Sequence, residues 1–177
     1  MSREIEPEID AADICERLVG ISPVYLQNFL QRGLYGLRSS VSPGKVRSVR
    51  RLFSVDDVYG IALVWLLFES GLRGELIARI LKDVARTKTA NANKAARAVR
   101  NAENDYLLVI RTPRRPSKSI AEKPDQQVHF MQKLHMVSEK ALRIFLGDDI
   151  DRTILILPVG SKFGDIRARL QILFDVR

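Results

Sequence analysis

Residues 20–33 read Gly20-Ile-Ser-Pro-Val-Tyr-Leu-Gln-Asn-Phe-Leu-Gln-Arg-Gly33. Ser22 and Pro23 mark a helix start, because serine can cap and proline fits a first turn, where its missing N–H costs nothing. Leu26, Phe29 and Leu30 follow at helical spacing and form an apolar stripe. Tyr25, Gln27, Asn28, Gln31 and Arg32 are left on or near the other faces, and Gly33 stops the helix. Upstream, Asp10 or Asp13 can cap an earlier helix through Ala11, Ala12, Ile14, Cys15, Leu18 and Val19, ended by Gly20. Two short helices joined by a Gly-x-Ser-Pro turn predict a helix-turn-helix, a motif that places its second helix in the major groove of DNA. The plain alternative is an αα-hairpin with polar residues on its wet side.

The next segment favours the first reading. Residues 34–38 look like the start of a strand, Pro43-Gly44 is a turn signal, and residues 47–53 return. A β-hairpin tipped by Lys45 and Arg47 would stand beside the helix pair as a wing. From Arg17 to Val55 there are seven bases, Arg17, Arg32, Arg38, Lys45, Arg47, Arg50 and Arg51, and no acid. Crowded like charge costs stability unless an anion offsets it, so this stretch points to a polyanion. A solvated basic surface without a partner is the competing reading. On the predicted second helix, Gln27 and Asn28 have the amides that bond adenine N6 and N7, and Tyr25 can bond a phosphate or pack on a thymine methyl.

Ser54 can cap a third helix, with Asp56 and Asp57 in its first turn where the helix dipole favours them. Val58, Ile61, Ala62, Trp65 and Phe68, with Leu63, Val64, Leu66 and Leu67, make it apolar almost all round. Such a helix is buried on several sides or packs on a second subunit, so Trp65 is either core or dimer surface. Gly71 ends it, and Glu75 to Val84 forms another helix with Leu76, Ile77, Ile80, Leu81 and Val84 inward.

The order helix, turn, helix, basic hairpin, helix, Gly, helix resembles the DNA-binding domain of the MerR family of bacterial transcription regulators. The resemblance covers residues 10–85. It rests on Gly20-Ile21-Ser22, Leu26 with Phe29, Gly33-Leu34, Arg38, the run Arg51-x-Phe53-Ser54-x-x-Asp57-Val58, and Gly71-Leu72 with Ile77 to Leu81. It implies that Tyr25, Gln27 and Asn28 face the groove, that Lys45 and Arg47 hold the flanking backbone or minor groove, and that Arg51 contacts phosphate. Ser22, Arg32, Arg38 and Arg50 complete the expected DNA-binding set. The chain departs from the family at Gln27, where Arg is usual, at Asn28, where an aromatic is usual, and at Leu30, where an acid is usual. The family's base preference therefore does not carry over. A lone Cys15 in the first helix is a small buried apolar residue more readily than a reactive thiol or a metal sensor.

The family usually continues into a long helix that pairs in an antiparallel coiled coil. Here residues 86–104 look helical, but Ala90, Ala92, Ala95, Ala96, Ala98 and Val99 give only a shallow apolar face and no heptad of large residues. They form a linker helix or a close-packed small-residue contact. Beyond them, 106–111 is a β-rich run and 112–127 a Pro-rich polar loop. Residues 128–131 form a returning strand, although 126–137 also fit a helical period. Residues 138–146 read as a helix, 154–157 as a buried strand and 161–174 as a final helix. The expected organisation is an acidic tail over 1–9, a winged helix-turn-helix domain over 10–85, a linker helix over 86–104, and a small α+β domain over 105–177 for dimerisation or an effector. The fold class is mainly α with a small β component.

Composition sets the outer bounds. The chain has 177 residues, 46% of them apolar, and a net charge of +8, which suits one medium or two small globular domains. One cysteine permits no internal disulfide, and with two histidines it is too little for a structural zinc site. The longest apolar run, Ile61 to Phe68, is far short of the ~20 residues that span a bilayer. A cytoplasmic, nucleoid-associated protein without a membrane segment is expected. Gly160-Ser161-Lys162-x-Gly164 lacks P-loop spacing and reads as a strand-to-helix turn, and Asp148, Asp149 and Asp151 read as a solvated turn. No catalytic constellation or cofactor motif stands out. The resulting expectation is a non-enzymatic, sequence-specific transcriptional regulator that binds double-stranded DNA as a homodimer, without a cofactor. Two alternatives remain: an accessory factor for recombination, replication or plasmid partition using the same surface, and a C-terminal small-molecule-binding or enzymatic domain docked by a basic N-terminus.

Overall fold

The computed structural model describes residues 9–33, 35–37, 51–101, 106–113, 130–137 and 153–175, with the backbone alone described at 32, 106–113, 130–137 and 153–154. The chain is mainly helical with a small sheet. A two-residue strand β1 (Ile9–Asp10) leads into helix α1 (Ala11–Asp13), which widens into a π-turn over Ile14–Leu18. Helix α2 is Pro23–Arg32, β2 is Leu52–Phe53, α3 is Val55–Glu69, α4 is Gly74–Ala85 and α5 is Ala92–Asn101. Strands β3 (Tyr106–Pro113), β4 (Phe130–Val137) and β5 (Thr153–Leu157) precede a last helix, α6 (Val159–Asp175).

Local chemistry accounts for the element ends. Asp10, not Asp13, caps the first helix: its carboxylate accepts from the Asp13 N–H at 2.8 Å. The expected regular helix to Val19 is replaced by the π-turn, closed by the Val19 N–H on the Ile14 carbonyl at 2.9 Å. Pro23 opens α2, and Gly33 closes it at φ +57°, a backbone state that glycine adopts without a Cβ penalty. Ser54 and Asp57 form a reciprocal capping box at the start of α3.

Several expectations are corrected. Ile9, expected in an acidic tail, is fully buried, and β1 pairs antiparallel with β2, Ile9 opposite Phe53 and Asp10 opposite Leu52. Residues 35–37 form a turn and not a strand. Tyr35 and Leu37 are buried, and the Tyr35 carbonyl accepts from the Ala92 N–H at 2.8 Å. The helix expected over 86–104 is shorter, because Arg86 turns left-handed at φ +52° and α5 begins only at Ala92. The segment 126–137 is extended in its described part, so β4 over Phe130–Val137 replaces both the shorter strand and the helical alternative. The sheet order is β4-β3-β5, antiparallel throughout. The helix expected over 138–146, the loops of 112–127 beyond Pro113 and the acidic turn at 148–151 lie outside the described residues.

One continuous core runs through both ends of the chain. Ile14, Leu18, Ile61, Leu63 and Ile77 belong to the same buried cluster as Phe163, Ile166 and Leu170 of α6. Helix α3 occupies the centre, which is why it is apolar on every side. Helix α5 presents Ala92, Ala95, Ala96 and Val99 to it, all buried, at a contact close enough that Gly60 leaves no room for a side chain. The small-residue contact, one of the two readings of this helix, is thus made inside the chain. Tyr59 meets Phe163 edge to face at 5.2 Å. Arg169 of α6 donates to the Arg17 and Leu18 carbonyls, both at 3.3 Å, at the end of the π-turn, and Lys162 reaches the Val19 carbonyl at 3.5 Å. Lys162 thus lies in the first turns of α6, facing the N-terminal helices.

Candidate nucleic-acid interface

The orientation of α2 sets the site. Leu26 and Phe29 are buried and Leu30 is half-buried, so the stripe read from the sequence faces inward. Phe29 anchors the helix to the end of α3: its ring lies 5.6 Å from Phe68 and 5.5 Å from Tyr35, both edge to face. Phe68 in turn lies under the Arg73 guanidinium at 4.0 Å, while Arg73 also donates to the Phe68 and Leu72 carbonyls at 2.6 and 2.9 Å. The inner side of the helix is therefore packed on the aromatic end of α3.

The outer side is a row. Val24, Gln27, Asn28 and Gln31 are exposed, at the spacing i, i+3, i+4 and i+7 that shares one helix face. Gln27 and Asn28 were expected there. Val24 and Gln31 were not assigned a role, although the inward stripe fixes them as its opposite. Tyr25 is set apart: it is 41% exposed, but its ring rests on Phe68 at 5.1 Å and Trp65 at 5.5 Å. It is a flank of the face held by an aromatic ledge and does not belong to the row. Ser22 is exposed at the start of α2 and makes no side-chain capping bond. The first N–H groups of a helix have no partner within it and suit an anion such as a phosphate.

Gln27 also lines a cleft of about 450 Å³ between the first two helices, floored by Cys15, Leu26 and Leu30, with Glu16 and Arg51 among its polar residues. The structure thus brings Arg51, the last base before β2, next to the second helix. Burial, with the Glu16 charge adding to it, raises the pKa of the Cys15 thiol, which suits a packing role over a thiolate. Of the other expected residues, Arg32 lies in the last turn of α2 with its side chain outside the described residues, and Arg38, Lys45, Arg47 and Arg50 lie outside them altogether.

A second charged cluster joins α3 to α5. Asp56 of α3 pairs with Arg97 and with Arg100 of α5, the latter at 3.0 Å, and Arg100 stacks on Tyr59 at 4.2 Å. Partial burial pushes the Asp56 carboxyl up, but the Arg97 hydrogen bond and the two guanidinium charges outweigh it and hold its pKa below the ordinary value. Among the described residues no group of His, Cys, Asp and Glu could hold a metal ion, and no helix is long and apolar enough to cross a membrane. No protein-family model matches the chain, and no curated protein matches it.

Proposed function

We propose that this chain is a sequence-specific DNA-binding regulator of the winged helix-turn-helix type, similar to MerR-family regulators in its first half. The observation that carries the reading is that Arg51, just before β2, and Gln27 of α2 line one cleft. Arg51 is the last of the bases that crowd residues 38–51 in the sequence, and Val24, Gln27, Asn28 and Gln31 of α2 are exposed. Affinity would come from phosphate contacts by Arg51, the basic segment and the start of α2, and specificity from the row on α2. A pair of chains would present two such helices to a two-fold site.

Titration of a labelled duplex pool with the full chain tests this. Binding should tighten steeply as salt falls from ~200 to ~50 mM, because neutralised phosphates release counter-ions. A chain that ignores duplex DNA at ~50 mM salt removes the proposal. Loss of promoter output in a reporter with a selected site would separate transcriptional regulation from an accessory role in recombination or partition.

A further inference from the structure

The row on α2 has a specific chemical make-up. Val24 is 66% exposed on the first turn, one of two large apolar side chains, with Ile172, left in water to this degree among the described residues. A β-branched residue there adds nothing to helix propensity and buries little, so folding places no demand for it. Around it the described side chains of the face are three carboxamides, Gln27, Asn28 and Gln31, none of them charged. The major groove gives each base a different requirement. Guanine O6 and N7 want two donors from Arg or Lys, and cytosine N4 wants a carboxylate. Adenine N6 and N7 want the donor and acceptor of Asn or Gln, and the thymine methyl wants an apolar contact. Among its described side chains the row carries the groups for adenine and thymine and none of those for guanine and cytosine.

We infer that α2 reads A·T base pairs in the major groove, with Asn28 and Gln31 on adenine N6 and N7 and Val24 on a thymine methyl. This rests on the DNA-binding reading above and names the sequence class it selects. Val24 to Gln31 spans about 10 Å at 1.5 Å per residue. That matches about three base-pair steps of 3.4 Å, so each half-site holds a short A·T core. Gln27, beside Arg51 at the cleft, stands at the edge of this core, where base and phosphate contacts meet.

The test selects bound duplexes from a random 24-base-pair pool with the full chain at ~150 mM salt, then edits the winning site chemically. Inosine·cytosine pairs keep the minor groove of A·T but show the major groove of G·C. The expected result is a core of about three A·T pairs whose replacement by inosine·cytosine weakens binding by roughly five- to a hundred-fold per adenine contact. Exchange of thymine for uracil should cost a few-fold with the native chain and little with Val24→Ser. A G·C core, or an A·T core that tolerates inosine·cytosine, overturns the inference and leaves DNA binding standing. A chain that binds no duplex overturns the DNA reading itself.

Discussion

Gly60 of α3 and Asn93 of α5 meet so closely that a Cβ on Gly60 would collide with the Asn93 side-chain carbonyl and lie 3.1 Å from its backbone nitrogen. Glycine in a helix interior ordinarily costs about 1 kcal/mol against alanine. Here the cost is offset by backbone-to-backbone approach, which lets Ala92, Ala95 and Ala96 bury completely.

Gly60→Ala should therefore destabilise the chain against the propensity trend, by about 1–3 kcal/mol, the usual cost of overpacking. Gly164 of α6 is the control, since nothing lies within 4 Å of a Cβ there. Gly164→Ala should be neutral or stabilise by up to about 1 kcal/mol. Chemical denaturation of the two variants reads the opposite signs. Equal signs would remove the close-contact account of α5.

Asp57 should be the most costly single polar residue of this region. It is 4% exposed and takes the Ser54 N–H at 2.9 Å, the Ser54 hydroxyl at 2.8 Å and the Asn93 amide at 2.6 Å. Asp57→Ala removes a cap and strands the half-buried Asn93 amide, which together cost about 2–4 kcal/mol. Asp56→Ala, one position earlier and half-buried but paired with the more exposed Arg97 and Arg100, should cost under about 1 kcal/mol. Thermal unfolding of both variants gives the ranking.

The helical half of this arrangement is legible in the sequence because capping residues and apolar periodicity are local signals. Ser22, Pro23 and Gly33 mark α2, and Ser54 with Asp57 marks α3. The row Val24, Asn28 and Gln31 was available by the same logic, as the opposite of Leu26, Phe29 and Leu30. What local signals do not carry is pairing across distance. Ile9 looks like the end of an acidic tail until Phe53 is placed opposite it. The alanines of α5 look too small to pack until Gly60 is set under them. The extra apolar faces of α3 suggested a second subunit, and much of their cover comes from α5 and α6 of the same chain. Nor does anything local reveal that the Tyr25 ring lies on Trp65 and Phe68.

The ion-pair cluster on α3 and α5 predicts a pH dependence. The pKa of Asp56 is lower in the folded chain than its ordinary value. Its contribution is then fully present above the unfolded carboxylate value of about 3.9 and is lost as pH falls through the lower folded value. The gap in melting temperature between the native chain and Asp56→Asn should be small at pH 6 and close below about pH 4. Salt should narrow it too, since Arg97 is 61% exposed. A gap that widens in acid would contradict the pairing.

Helix α6 should be required for the stability of the N-terminal helices. Ile166 is fully buried and Leu170 nearly so, in the cluster that holds Ile14 and Leu18. Ile166→Ala should cost about 2–5 kcal/mol through lost burial and a cavity. Hydrogen exchange should show the amides of α3 losing protection together with those of α6. Loss confined to α6 would mean that the two ends of the chain unfold independently.

Arg51 and Gln27 line one cleft, yet they should fail differently. A guanidinium on phosphate contributes the same to every sequence, so Arg51→Ala should weaken all duplexes by a similar factor and lower the salt slope by about one counter-ion. A carboxamide on a base edge contributes only where the right base is present. Gln27→Ala should leave the salt slope and nonspecific binding unchanged and flatten preference at one position, by about 1–3 kcal/mol for a bidentate contact. Binding isotherms for a selected site and a scrambled one, each at four salt concentrations, separate the two. If Gln27→Ala weakens both duplexes equally, the amide only positions the helix, and the base-reading row is reduced to Val24, Asn28 and Gln31.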